Sequence, residues 1–494
     1  MTNILEWLER TVESMPDKSK TAFAGENGSQ SFAELGQNSR AVGSFIASKN
    51  IIKKPIAVFM EKSAFAVSAF LGVAYSGNFY VPLDPEMPAF RTKMILEALD
   101  PQLIICDEKT KELISDFRLE LFSSIIGTDI CDAKLAEIRK KSIDSDPLYV
   151  VFTSGSTGVP KGVTATHRNI IDYVSNLNKV LGVDSSSVFG IQSPFYLDAC
   201  LKEIFGTIAM GGTAVIIPKP LFMFPVKLLG FLAEKEINII CWVSSALSFV
   251  AGLGALGKSK LPKLRTVAFG GESIRNEHLN TWLDAFPMAK FVHLYGPTEA
   301  TGMSAYHVVE KPLLMDERLP IGKPFDNTEI VLLEDGEICI RGARLSPGYY
   351  NDLEKTIEVF IQNPHSDFPD RLYKTGDIGF IGEDGLLYFV SRRDYQIKHM
   401  GHRIELAEIE RAAGDVRGIK LTCCVYDDEK SRILLYYVGD EANVLHELKQ
   451  TLPRYMLPYR VFRLDVLPTT PGGKIDRKEL LRCYREDRLD VPNT

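Results

Sequence analysis

Up to about Leu319, short apolar runs alternate with amphipathic stretches. Ile56–Met60, Leu103–Cys106, Tyr149–Thr153, Ala214–Ile217, Ile239–Val243, Thr266–Phe269 and Phe291–Leu294 have the length and composition of buried strands. Ala64–Ala74 and Pro225–Lys235 read as amphipathic helices. The alternation predicts an α/β fold with largely parallel strands. After Leu319 the pattern changes. Glu329–Leu333 and Glu337–Arg341 flank Asp335-Gly336, a hairpin signal, and the turn Glu383-Asp384-Gly385 precedes Leu386–Val390. These segments predict a β-rich subdomain. Ser391-Arg392-Arg393-Asp394 reads as a junction. Beyond it come a helix (Leu406–Ala413), a strand pair (Leu421–Tyr426 and Ile433–Val438), a helix (Val444–Leu452) and a short strand (Arg460–Leu464). The expected organisation is a large N-terminal domain, 1–393, of sheets flanked by helices plus the β-rich part. A smaller mobile α+β domain, 394–494, follows it.

Composition narrows the classes. At 494 residues the chain exceeds what one core supports. A net charge of −7 argues against a nucleic-acid binder. No apolar run reaches membrane-spanning length, and the N-terminus MTNILEWLERTVESM carries acids where a signal peptide carries a basic flank. Eight cysteines form no C-x-x-C, and the eight histidines form no H-E-x-x-H. The expectation is a cytoplasmic protein with reduced thiols, without nucleic acid or membrane span.

The strongest chemical signal is FTSGSTGVPKGV, Phe152 to Val163, directly after an apolar run. Hydroxyls at Thr153, Ser154, Ser156 and Thr157 alternate with Gly155 and Gly158, and Lys161 closes the segment. Glycines let backbone N–H groups turn toward an anion, and hydroxyls and a lysine add donors and charge. That suits a polyphosphate, although the Walker A spacing is absent. Tyr295-Gly296-Pro297-Thr298-Glu299 puts an acid on a tight turn after a strand, a natural Mg²⁺ ligand. Tyr373-Lys374-Thr375-Gly376-Asp377 offers a carboxylate for a ribose diol, and Lys474 sits in a Gly-rich loop near the end of the chain. Taken singly, each of these also reads as a surface turn or a solvated side chain.

Together, in order and spacing, these segments resemble the adenylate-forming superfamily. Within it the chain is similar to the amino-acid-activating adenylation domains of nonribosomal peptide synthetases and to D-alanine–carrier protein ligases. Ser31-Phe32-Ala33-Glu34-Leu35, Tyr80-Val81-Pro82-Leu83-Asp84-Pro85, Gly336-Glu337-Ile338-Cys339-Ile340, Gly348-Tyr349-Tyr350 and KHMGHRIELAEIE from Lys398 to Glu410 match further motifs. The resemblance implies ATP and Mg²⁺ as cofactors. The Thr153–Gly158 loop and Lys161 would hold the β/γ-phosphates, and Gly270, Gly271, Glu272 and Tyr295 the adenine. Thr298 would contact the α-phosphate, Glu299 with Thr157 the metal, and Asp377 with Arg392 the ribose. Lys474 would bridge the substrate carboxylate and the α-phosphate. Asp394 falls at the family's hinge, and Gly401 where the pantetheine arm passes. Only the residues after Lys474 remain at the C-terminus, so the implied peptidyl or acyl carrier protein is expected to act in trans.

Asp198 falls where amino-acid-activating members bind the substrate ammonium. The pocket positions implied are Asp198, Ala199, Lys202, Cys241, Ala268, Gly270, Leu294, Gly302 and Met303. Lys202 would suit a side-chain carboxylate, as in glutamate or aspartate, or would pair with Asp198 at i, i+4 on a helix. A small neutral acid such as alanine or serine is the other reading. The cysteine that D-alanine ligases carry beside the substrate is Gly270 here, while Ser391 and Ser244 replace a usual glycine and proline. An acyl- or aryl-CoA ligase and a non-catalytic nucleotide-binding scaffold remain as alternatives.

Overall fold

A computed structural model describes residues 1–114, 117–155, 159–258, 260–470 and 474–487. The chain divides into two compact units. The first comprises Met1–Pro85, Asp100–Val151 and Gly162–Arg393; the second comprises Glu86–Leu99, Phe152–Lys161 and Asp394–Thr494. Two segments from before Arg393 therefore pack with the C-terminal residues.

The first unit is built on two mainly parallel sheets. In the nine-stranded sheet, Lys290–Tyr295, Thr266–Gly270, Ile239–Val243, Val188–Ile191, Thr213–Ile216 and Thr21–Gly25 lie side by side in that order, all parallel. Antiparallel strands, Gly28–Ser31 at one side and Ala305–Val309 with Lys323–Pro324 at the other, complete it. The six-stranded sheet carries Pro55–Phe59 between Phe79–Pro82 and Leu103–Cys106. Its apolar strands are buried along their whole length, as expected when helices cover both faces of a parallel sheet. The helix Ala64–Tyr75 is buried at nearly every position and is capped by the Ser63 side chain. It meets the helix Phe32–Ser48 so closely that a Cβ on Gly72 would stand 2.4 Å from Val42.

The expected β-rich part is present. Thr328–Leu332 and Glu337–Gly342 form the hairpin around Asp335-Gly336, and Arg371–Ile381, Phe360–Gln362 and Leu387–Arg392 extend it into a five-stranded sheet. The long strand Arg371–Ile381 bulges. Glu337 pairs with Ile378 and Cys339 with Lys374, so Thr375, Gly376 and Asp377 together oppose Ile338 alone.

In the second unit, the helix Leu406–Gly414 and the antiparallel pair Ile419–Asp427 and Arg432–Gly439 join Arg460–Arg463 and the helix Val444–Thr451. A two-stranded hairpin, Gln396–His399 with His402–Glu405, turns at Met400 and Gly401, both at positive φ. The sequence reading omitted this hairpin, because its polar strands lack the alternation that marks a half-buried sheet. Arg91, on the helix Ala89–Leu99, forms a buried ion pair with Glu408. Among the described residues no helix is long and apolar enough to cross a membrane.

Candidate active site

In the first unit, chemistry gathers at the C-terminal ends of the parallel strands, where open α/β sheets place their ligands. Tyr295 ends its strand, and its hydroxyl donates to Asp377 Oδ2 at 2.5 Å. Arg392 Nη1 donates to Asp377 Oδ1 at 2.5 Å, and Nη2 reaches the Thr375 carbonyl at 3.2 Å. Strand pairing sets Arg392 opposite Asp377. Burial, and then the Asp377 carboxylate, push the Tyr295 phenol well above the ordinary tyrosine range, so it acts as a donor. Each Asp377 oxygen thus has one partner and retains acceptor capacity for a hydroxyl.

The neighbouring strand ends close up around this corner. Gly270 ends Thr266–Gly270, and a Cβ there would stand 2.1 Å from the Leu294 carbonyl oxygen. Gly271 has φ +84°, and Glu272 accepts a hydrogen bond from Ser245 Oγ at 2.7 Å. Ser244, in the place of a usual proline, donates to the Glu272 carbonyl at 2.8 Å. The turn Thr298–Ala300 follows Tyr295. Glu299 is fully buried and accepts from the Tyr349 hydroxyl at 2.7 Å. A buried carboxylate on a turn fits Mg²⁺, which takes few protein ligands and keeps water and phosphate oxygens.

The Thr153–Lys161 segment, expected to hold phosphates, lies in the second unit as far as it is described. Ser154 Oγ donates to the Arg403 carbonyl at 2.6 Å and accepts from the Glu405 N–H at 3.3 Å. Gly155 leaves no room for a Cβ, which would meet the Val159 carbonyl oxygen at 2.1 Å. The Thr153 hydroxyl is buried with no hydrogen-bond partner, and Lys161 is buried. Ser156, Thr157 and Gly158 lie outside the described residues. Lys474, exposed, and the junction residue Asp394, which caps the Gln396 N–H at 3.2 Å, also belong to this unit. So does Gly401, at φ +81°.

The positions implied for the acid pocket form a second cluster in the first unit. Asp198 starts the 3₁₀ turn Asp198–Cys200, and the helix Leu201–Met210 follows. Lys202 Nζ donates to the Ala199 carbonyl and lies 3.5 Å from Glu203 Oε1. Both side chains are buried, at 4% and 0% exposure. Burial raises the Glu203 carboxyl above its usual range, against the opposing pull of Lys202. Ala268 and Leu294 are buried in adjacent strands, and Cys241 lies within electrostatic reach of Glu203 and Lys202. A Cβ on Gly302 would stand 2.9 Å from the Tyr173 ring, and the Met303 carbonyl is held by Arg344.

Sequence reasoning missed several members of this cluster. The Tyr149 and Tyr173 hydroxyls are buried without a hydrogen-bond partner, and Glu203 is buried beside Lys202. Tyr149 and Tyr173 both feel the charge of Asp198. Lys62 Nζ donates to the Ile191 and Gln192 carbonyls, each at 3.1 Å. Burial brings Lys62 down to about 8, with Cys200 and Glu203 pulling the other way. The available signal was a polar atom inside an apolar run, as in Leu148-Tyr149-Val150.

A parallel sheet whose Tyr295 strand end meets Asp377 and Arg392 of an antiparallel sheet is the frame of an α/β nucleotide-binding enzyme. Residues 8–350 match the family described as AMP-binding enzyme, and the chain belongs to it. It is 30% identical over 498 residues to surfactin synthase subunit 1 of Bacillus subtilis (strain 168), covering 97% of this chain and 14% of that protein. It is 29% identical over 506 residues to D-alanine--D-alanyl carrier protein ligase of Bacillus cereus (strain AH187), covering 97% and 99%. The chain spans only 14%, 9% and 8% of three of its synthase relatives. Among solved structures, an NRPS protein containing adenylation and PCP domains, bound to a vinylsulfonamide inhibitor, superposes with a TM-score of 0.86 at 25% identity. That match covers 97% of this chain and 84% of the other. The expected α/β architecture with a smaller C-terminal part is thereby borne out.

Proposed function

We propose that the chain activates an amino acid as its aminoacyl-AMP and transfers it to the phosphopantetheine thiol of a carrier protein. The observation that carries the nucleotide half is Asp377, held between Tyr295 and Arg392 with acceptor capacity left on both oxygens. A ribose diol needs two such acceptors. In the first step the acid's carboxylate oxygen bonds to the α-phosphorus as the bond to the β-phosphate oxygen breaks, releasing pyrophosphate. Lys474 would offset the repulsion between the carboxylate and the phosphate. Thr298 would contact the α-phosphate. Glu299 and Thr157 would hold Mg²⁺, whose charge stabilises the leaving pyrophosphate. In the second step the thiol sulfur bonds to the acyl carbon, AMP leaves, and the thiol proton passes to solvent. Asp394 is the proposed hinge between steps, and Gly401 the point where the pantetheine arm passes.

Asp198 would bind the substrate ammonium. Lys202 already has an anionic neighbour in Glu203, and Tyr149 and Tyr173 bring buried hydroxyls to the same cluster. These features favour a substrate with a polar side chain. The test is acid-dependent ATP–pyrophosphate exchange across D-alanine, serine, aspartate, glutamate and β-alanine. Serine or an acidic amino acid is expected to exceed D-alanine. Lys474→Ala is expected to abolish exchange and to keep transfer from supplied aminoacyl-AMP. Exchange with fatty or aromatic acids alone would favour a CoA ligase, and no acid-dependent exchange at all would sink the proposal.

A further inference from the structure

One carboxylate outside the residues assigned above serves two places at once. Glu337 opens the strand Glu337–Gly342, and its side chain is 3% exposed. Oε1 accepts the Gly376 backbone N–H at 3.1 Å. Oε2 lies 3.3 Å from Arg393 Nη1 and 3.6 Å from Lys374 Nζ. Gly376 has φ +75° and sits inside the bulge that presents Asp377. Its carbonyl accepts the Arg393 N–H at 2.8 Å, so both of its backbone polar groups are held. The rest of the bulge is tied down by Thr375 Oγ1, which donates to the Ile338 carbonyl at 2.7 Å and accepts the Asp377 N–H at 3.0 Å. Arg393 also pairs with Asp335, and it immediately precedes Asp394.

We infer that Glu337 is a positioning residue with divided duties: Oε1 fixes the bulge that aims Asp377 at the nucleotide ribose, and Oε2 restrains the Arg393–Asp394 junction. A bulge leaves backbone groups outside the sheet ladder, so something else must hold them. Oε1 does this for Gly376. The cations on Oε2 do not touch Asp377, so the two duties are separable. Glutamine separates them: its amide oxygen keeps the Gly376 contact, while its NH₂ turns an attraction for Arg393 and Lys374 into none. Alanine removes both. The inference rests on the nucleotide half of the reading above and is independent of which acid is activated.

The experiment titrates AMP into the wild type, Glu337→Gln, Glu337→Ala and Arg393→Ala by calorimetry, and follows amide hydrogen exchange over residues 376–400. Glu337→Gln is expected to keep AMP affinity within about threefold while exchange just after Arg393 quickens about tenfold. Glu337→Ala is expected to lose about tenfold in AMP affinity as well. Arg393→Ala, whose backbone N–H is unchanged, is expected to behave as Glu337→Gln does. The inference falls if Gln weakens AMP binding as much as Ala, or if Gln leaves the junction exchange unaltered. It also falls if Arg393→Ala weakens AMP binding about tenfold, or if the wild type fails to bind AMP. Should Glu337→Ala not fold, the other two variants decide. A wild type that binds AMP but exchanges pyrophosphate with no amino acid would overturn the proposed reaction and leave this comparison standing.

Discussion

The proposed ribose corner and the proposed acid pocket lie in the same unit and are built in opposite ways. Around Asp377 a phenol, a guanidinium and the residue's own backbone N–H are already engaged. Around Asp198, the hydroxyls of two buried tyrosines have no hydrogen-bond partner, and the buried Glu203 carboxylate has only Lys202 at 3.5 Å. An unsatisfied buried group costs roughly 1–3 kcal/mol, so the pocket is held in a costly state by the sheets around it. The contrast teaches that the half proposed for the nucleotide is held in place in advance, which suits a ligand that never varies. The other half keeps polar atoms in reserve for a ligand that must be discriminated.

Four measurements break or sharpen this contrast. Asp198→Ala should raise the KM for the preferred amino acid by about several hundredfold, the cost of leaving an ammonium unpaired, with ATP affinity little changed. An unchanged acid KM would show that Asp198 does not read the substrate. Lys62 tests the strain in the pocket through pH. Its folded value of about 8 lies below that of an unfolded lysine, so the folded chain binds fewer protons between the two. The stability penalty is full below about pH 8 and is relieved as pH rises toward 10.5. Relative to Lys62→Met, the wild type should gain on the order of 3 kcal/mol across that window, read by urea unfolding. A flat difference would place the ammonium in water. Asp377→Ala should cost about 30-fold in AMP affinity without altering the acid KM. Equal effects on both ligands would merge the two regions. Tyr173→Phe should leave stability unchanged or raise it by up to about 1 kcal/mol, since it removes an unpartnered hydroxyl. Loss of stability would mean that hydroxyl is satisfied in solution.

Legibility in the sequence followed the same divide. The parallel strands were readable because sheets covered on both faces need continuous apolar runs. Leu103–Cys106 and Ile239–Val243 coincide with their segments, and the others shift by a residue or two. Asp377 and Arg392 were named through family motifs, but their meeting depends on a register across two strands, which no local pattern encodes. Tyr149 looks like any core residue of a strand, because an aromatic ring serves apolar packing whether or not its hydroxyl is used. Glu337 was visible only as part of a strand motif. Its two duties arise from a bulge in a partner strand some forty residues later, as roughly follows from a ladder whose pairing is non-local.

Gly270 carries a consequence for which side chains this corner can acquire by descent. The resemblance to D-alanine ligases implies a cysteine at this position, yet here any Cβ would collide with the Leu294 carbonyl oxygen at 2.1 Å. The obstacle is backbone, so it cannot swing aside. The neighbouring strands Thr266–Gly270 and Lys290–Tyr295 would first have to part. Exchanging Gly270 for a residue with a side chain therefore takes more than that one substitution; the spacing of the sheet must drift first.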